Sequence, residues 1–478
     1  MWTMDIIMLT RKLCRIVAQV LLGGGAVWAG ALFSPAALAA LTGPVRIAFI
    51  DPLSGPFANT GESALKHFRA AVEREEVRRI LQGSSRVDGS SEGNHRGAGS
   101  RKGSSAAARI EIVPFDNKAS AQEALVQLRA AIDQGIRFVL QGQSSAAALA
   151  LIDAIDKHNL RNPGREVLFL NYAALDPELT NAKCSFWHFR FDAPVDMRME
   201  ALVEAIVRDG AAKNIYLIGQ DYSFGRSVAQ HARAMLARKL PQARIVGDDL
   251  HPIGTVRDFA PYVAKIKAAG ADTVVTGNWG NDLALLVKAA REQGFGGDFY
   301  TFYAGSPGAV TAIGKAGVGK LKQVNEWHAN VQVNGKRVLE TFAAGFKQRY
   351  GEDFRYLRFL TLTDMFAAAL ARAGSAEPQQ VAFALEGLRM ATVTGEVEMR
   401  AVDHQLIQAL YVSILAVAGK PGGKPGETQG DALEVAIDVE NTGLGFKTEA
   451  RIEGYATAQP TSCAMTRPPR PVSVPLRR

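Results

Sequence analysis

Val45-Arg-Ile-Ala-Phe-Ile-Asp-Pro-Leu-Ser-Gly-Pro-Phe57 is the stretch from which the rest of the chain is read. Val45 to Ile50 is a short run of apolar, largely β-favouring residues, the pattern of a strand buried on both faces. Asp51-Pro52 stops it, a Ser-Gly-Pro loop follows, and Glu62 to Leu81 carries helical spacing. The same strand–loop–helix order then recurs. Arg109–Phe115 is a strand, and Ser120-Ala-Gln-Glu123 is a capping box opening a helix with Ala124, Leu125, Leu128 and Ile132 on one face. Phe138–Leu140, the helix Ala146–His158 and the strand Val167–Leu170 complete the first series. A second series starts at Asn214–Ile218, with the helix Arg226–Lys239, the strand Arg244–Val246, the helix Phe259–Ala269, the strand Thr273–Thr276 and the helix Asp282–Gln293. Strands alternating with helices require right-handed crossovers and parallel sheets covered on both faces. Two such series predict two α/β lobes.

Beyond them, helices are expected at Val338–Tyr350 and Thr361–Ala373, and strand at Gly395–Val417, clearest at Leu410–Leu415. Gly83–Ser105 has no apolar periodicity and reads as an insertion into the first lobe (83–107); Lys420–Gly430 is a Gly/Pro-rich loop. The 478 residues exceed one typical domain, and 47% hydrophobic with 21% charged residues suits a folded soluble protein.

Arg11, Lys12 and Arg15 precede the apolar run Ile16–Phe33, and Ala37-Leu-Ala39 ends it: a signal peptide over 1–39, with cleavage near Ala39, is expected. With Asp5 leaving too, the formal charge falls from +8 to +6, with no Lys/Arg block beyond the tail Arg467–Arg478, so nucleic acid is not a partner class. Cys14 departs with the signal. Cys184 and Cys463 either pair in an oxidising compartment or stay as buried thiols. Cys463 stands in a Pro-rich tail with little apolar material to hold it, so a disulfide is expected. Their spacing suits no metal site.

Ligands of open parallel sheets bind beyond the carboxyl ends of the strands. Five loops lie there: Asp51–Phe57, Gly142-Gln-Ser-Ser-Ala146, Asn171–Leu175, Gly219–Gly225 and Gly277-Asn-Trp-Gly280. Ser144 and Ser145 stand where hydroxyls and free helix amides converge, which suits a carboxylate, although one serine could simply cap the helix. Tyr222, Phe224, Asn278 and Trp279 sit in polar, Gly-containing loops and read as pocket wall, against the commoner use of aromatics in cores. Gly142–Ala146 is one residue from a nucleophile elbow, which makes an exported serine hydrolase using Ser144 the competing reading. His158, His188, His251, His328 and His404 form no acid–base arrangement with it, and no cofactor motif is found.

Val45–Phe57, Asp176-Pro-Glu-Leu-Thr180 and Asp221-Tyr-Ser-Phe-Gly-Arg226 resemble, in combination and order, the leucine/isoleucine/valine-binding proteins, type I periplasmic binding proteins serving ABC transporters, over residues 44–417. The resemblance implies two doubly wound parallel-sheet lobes joined by three crossovers. Lobe 1 would comprise 44–190 and 304–390, lobe 2 would comprise 191–303 and 391–455, and 456–478 would be a tail. Hinges are expected near Phe189–Pro194, Phe302–Pro307 and Gly387–Gly395. Carried over by motif, Thr60, Ser144, Ser145, Ala173, Ala174 and Phe224 would contact the ligand. Leu175 stands where a Thr is usual, and Thr255-Val256 where an ammonium-binding Glu is expected. Glu326 would have to replace that acid. An amino acid or related carboxylate is implied, the departures favouring a deaminated or aromatic acid. The partner would be an inner-membrane ABC permease, the protein a periplasmic monomer without cofactor or catalytic residues. A cytoplasmic ligand-sensing receptor of the same fold is disfavoured by the signal peptide.

Overall fold

The computed structural model describes residues 43–82, 109–419 and 434–470; the signal segment, the 83–107 insertion and the Lys420–Gly430 loop lie outside them. Two eight-stranded sheets organise the described chain. In the first, Arg109–Asp116, Pro44–Asp51, Phe138–Gln141, Leu168–Asn171 and His188–Arg190 run parallel, in that spatial order. Gln405–Ile407, Gly395–Arg400 and Arg389–Thr392 extend it, the last two as an antiparallel hairpin. In the second, Arg244–His251, Asn214–Gln220, Thr273–Thr276, Asp298–Thr301 and Leu321–Asn325 are parallel. Leu410–Ala418 then pairs antiparallel with Leu321–Asn325 and carries Glu434–Val435 and Leu444–Ile452.

The strands read as continuous apolar runs because both faces are covered. Ile47 and Phe49 join Leu140 and Leu170 under the helices Ala58–Val72 and Arg358–Ala373, while Ala48 and Ile50 join Val139 and Phe169 under Ala121–Asp133 and Ser145–Arg161. The second sheet divides likewise. Ile215 and Leu217 face the helices Val195–Asp209 and Ser223–Lys239, and Tyr216 and Ile218 face Ala260–Ala268 and Asn281–Glu292. Of the expected capping box the serine half is present: Ser120 Oγ accepts from the Glu123 amide at 3.3 Å, while the Ser120 amide donates to the Asn117 carbonyl at 2.8 Å. The single helix expected over Glu62–Leu81 is two, Ala58–Val72 and Glu75–Leu81, broken at the extended Arg74.

Each lobe seats its first crossover helix through a glycine. A Cβ on Gly61 would lie 1.8 Å from the Pro52 carbonyl oxygen, and one on Gly225 1.8 Å from that of Gln220. Only hydrogen fits, so both helices begin hard against the loops leaving their strands.

Two lobe boundaries differ from the sequence reading. Leu321–Asn325 pairs with Asp298–Thr301, so the chain does not leave the second lobe near Phe302–Pro307 but after Asn325. Gly387–Gly395 contains the turn of the hairpin Arg389–Arg400 within the first sheet, and the last exchange falls between Ile407 and Leu410. Gly and Pro mark chain reversals wherever they occur, and a reversal inside a lobe has the same local composition as one between lobes. The tail makes a further link. After Leu444–Ile452 it crosses back to the first lobe, where Thr461 Oγ1 donates to the Thr180 carbonyl, Arg467 pairs with Glu386, and Cys463 is bonded to Cys184 with Cα atoms 5.6 Å apart.

Candidate functional site

The carboxyl ends of the two parallel sheets converge on a cleft. Thr60, Ser145, Ala173 and Ala174 line it from the first lobe, Tyr222, Phe224 and Trp279 from the second. Phe57 bridges the two, its ring 4.5 Å from that of Trp279, whose indole N–H donates to the Tyr222 hydroxyl at 2.9 Å. About 60 Å³ is free between the walls. That is room for on the order of five water-sized groups, so a larger solute enters only if the lobes part.

The serine loop is held from behind. Asp51, fully buried at the end of its strand, accepts from the amides of Gly142 and Gln143, each at 3.1 Å, and from Tyr172 Oη at 2.7 Å. Burial pushes its carboxyl up to about 7, against the pull of these donors. The loop so fixed opens the helix Ser145–Arg161. Ser144 Oγ accepts from the Ala147 amide at 3.3 Å, the capping alternative, and Ser144 does not line the cleft. Ser145 does, and its Oγ accepts from the Asp176 amide at 3.3 Å.

Asn278 and Glu326 are also set back from the cleft. Asn278 Nδ2 meets His251 Nε2 at 2.9 Å in the second lobe. Glu326 belongs to a buried charge quartet where the lobes exchange chain. Arg358 Nη1 donates to both Glu326 oxygens at 2.9 Å and lies 3.4 Å from Asp192, while Arg198 donates to Asp192 at 2.5 Å and lies 3.6 Å from Glu326. Two cations and two anions balance with at most 3% side-chain exposure each. Burial raises the Glu326 carboxyl, and Arg358 opposes the rise. Arg358 does line the cleft, with its guanidinium 3.9 Å over the Tyr356 ring. Together with Tyr303 and Tyr356 it was not legible in sequence; the only signal is an arginine at the start of a largely apolar helix.

The model of the periplasmic binding proteins matches residues 44–420. The chain belongs to the periplasmic binding protein family. It is an extracytoplasmic solute-binding protein of an ABC importer, and not an enzyme, so the hydrolase reading of Ser144 falls. Among relatives of this periplasmic binding protein is the Leu/Ile/Val-binding protein homolog 4 of Brucella abortus, 33% identical over 432 residues, 89% of this chain and 93% of that one. The closed conformation of a leucine-, isoleucine-, valine-, threonine- and alanine-binding protein from Brucella ovis superposes with a TM-score of 0.72 at 30% identity, over 89% of this chain and all of that one. A Rhodopseudomonas palustris solute-binding protein in complex with 3,4-dihydroxy benzoic acid shares the fold, with a TM-score of 0.64 at 15% identity over 86% of this chain and 98% of that one.

Proposed function

We propose that the cleft captures a small monocarboxylate whose recognition uses no ammonium partner, such as the keto acid of a branched-chain amino acid or a small aromatic acid. The observation that carries this is the charge of the lining: Arg358 is its one cation, and no Asp or Glu is among the described lining residues. A free α-ammonium group would go without a carboxylate there, whereas a solute carboxylate meets the Ser145 hydroxyl, the start of the Ser145–Arg161 helix and the edge of Arg358. Tyr222, Phe224, Trp279 and Tyr303 supply flat apolar wall for the rest of the solute. The names of the relatives point to the same size of side chain, and the dihydroxybenzoate complex to an acid without an amino group held on the same fold.

The protein then works as a periplasmic monomer, released by cleavage near Ala39, that closes its lobes over the solute and hands it to an inner-membrane permease. Calorimetry on the mature protein tests the ligand class with matched pairs. The keto acid of leucine should bind at least tenfold tighter than leucine itself; the reverse order rejects the reading. Ser145→Ala should weaken the bound acid by about 2 kcal/mol, the usual loss for a hydrogen bond to a charged group.

A further inference from the structure

Beside the cleft lies a larger cavity of about 320 Å³ that shares none of its lining residues. Trp327, Phe354 and Val338 wall it on the first-lobe side, where Trp327 and Phe354 pack with Ala71. Ile437, Val439 and Phe446 wall it on the second-lobe side, Phe446 being part of the core under the second sheet. The two sides are pinned together by polar contacts across the lobes. Arg355 donates to the Gly305 carbonyl at 3.1 Å and to Glu440 at 3.0 Å, and the Glu440 amide donates to Asp353 at 2.6 Å.

The charges around this cavity are already used. Lys347 pairs with Asp353 at 2.9 Å, Glu340 with Arg337 at 2.8 Å, and Asp438 accepts from the Gly443 amide at 3.2 Å. Gln323 accepts from the Gly305 amide at 2.8 Å, and His328 sits 2.8 Å from Thr448 Oγ1, its proton affinity lowered by burial to about 3 and the ring therefore neutral. An ionic occupant would have to compete with these contacts, whereas an apolar one meets the aromatic and aliphatic wall of Trp327, Phe354, Val338, Ile437, Val439 and Phe446. A volume of this size is that of a site for a drug-sized molecule. We propose that this cavity is a second ligand site, separate from the solute cleft, that takes a neutral apolar molecule with a ring system.

The test needs no knowledge of the cleft solute. The mature protein is titrated with N-phenylnaphthylamine, an uncharged probe that fluoresces in apolar surroundings. A single saturable site is expected. Ala344→Trp, at an exposed position on the cavity wall, should weaken the probe at least tenfold, and Ala343→Phe should do the same from deeper in the wall. Both variants should keep the wild-type affinity for whichever acid the cleft binds. The proposal is overturned by absence of saturable binding, by probe affinity unchanged in both variants, or by competition between probe and cleft acid. It is overturned equally if the probe binds only after residues 421–432 are deleted, because the chain would then be filling the cavity itself. Failure of the cleft acid to bind leaves the probe result standing, so the two readings fail separately.

Discussion

The cleft leaves about 60 Å³ among hydroxyls, aromatic rings and one arginine, while its neighbour leaves about 320 Å³ among Trp327, Phe354, Phe446 and aliphatic side chains. Both are walled by two lobes, yet they are built from different materials. The cleft is made of loops leaving parallel strands, where helix amides and short polar side chains gather, and it is backed by buried polar groups: the charged Arg358 quartet and the carboxyl of Asp51. The second cavity is made largely of side chains that would otherwise be core, and its charged groups already have partners, Lys347 with Asp353, Glu340 with Arg337 and Arg355 with Glu440. A site that must hold and release a charged solute needs fixed dipoles and a closing hinge. A site lined by apolar surface needs only shape and exclusion of water.

The sharpest way to break this contrast is to unbalance the quartet behind the cleft. Glu326→Ala leaves two buried cations against Asp192 alone, and should cost about 3–5 kcal/mol of stability in urea denaturation, because an uncompensated charge is left without water. A loss below about 1 kcal/mol would mean that these charges are solvated and that the cleft is no more electrostatic than its neighbour. The tail disulfide touches neither cavity and serves as the comparison for a purely global loss. Cys184 and Cys463 are 279 residues apart. Cys463→Ser should therefore lower stability by about 2–5 kcal/mol, measured by the same denaturation, without changing the ratio of acid to apolar-probe affinity.

Asp51 gives the most local change. Its folded value of about 7 lies above its ordinary 3.8, so between those values the folded protein holds a proton that the unfolded chain has released. Stability from this group is greatest at the acid end and falls as pH rises, by about 1.4 kcal/mol per unit, levelling off above 7. Denaturation at pH 5, 6 and 7 should show the fall in the wild type and a flatter profile in Asp51→Asn. Equal slopes would mean that the donors around Asp51 keep it ionised throughout.

Much of the fold is legible because strand and helix patterns are local. The run Val45–Ile50 is apolar at every position but Arg46, and Ser120 caps a helix within four residues. Ser145, Tyr222 and Trp279, which line the cleft, were legible for a related reason: each stands in a loop leaving a strand, and parallel sheets gather such loops at one end, whereas Thr60 was implied only by the family resemblance. Ser144 and Asn278 belong to the same loops but turn into their own lobes, a matter of rotamer and neighbour that spacing does not specify. Arg358 and Glu326 are 32 residues apart, Arg198 and Asp192 more than a hundred residues before them, and only the folded chain brings the four within hydrogen-bonding reach.

By itself, then, the sequence determined the strand–helix alternation, two α/β lobes, the loops that meet at the cleft and the two cysteines with reason to pair. Tertiary structure alone decided where the chain exchanges lobes at Asn325 and Ile407, which loop side chains reach the cleft, how its charge is balanced, and that a second cavity exists at all. The physical reason is range. Backbone periodicity and capping act over a few residues, whereas burial, ion pairing and cavity walls depend on groups brought together from distant segments.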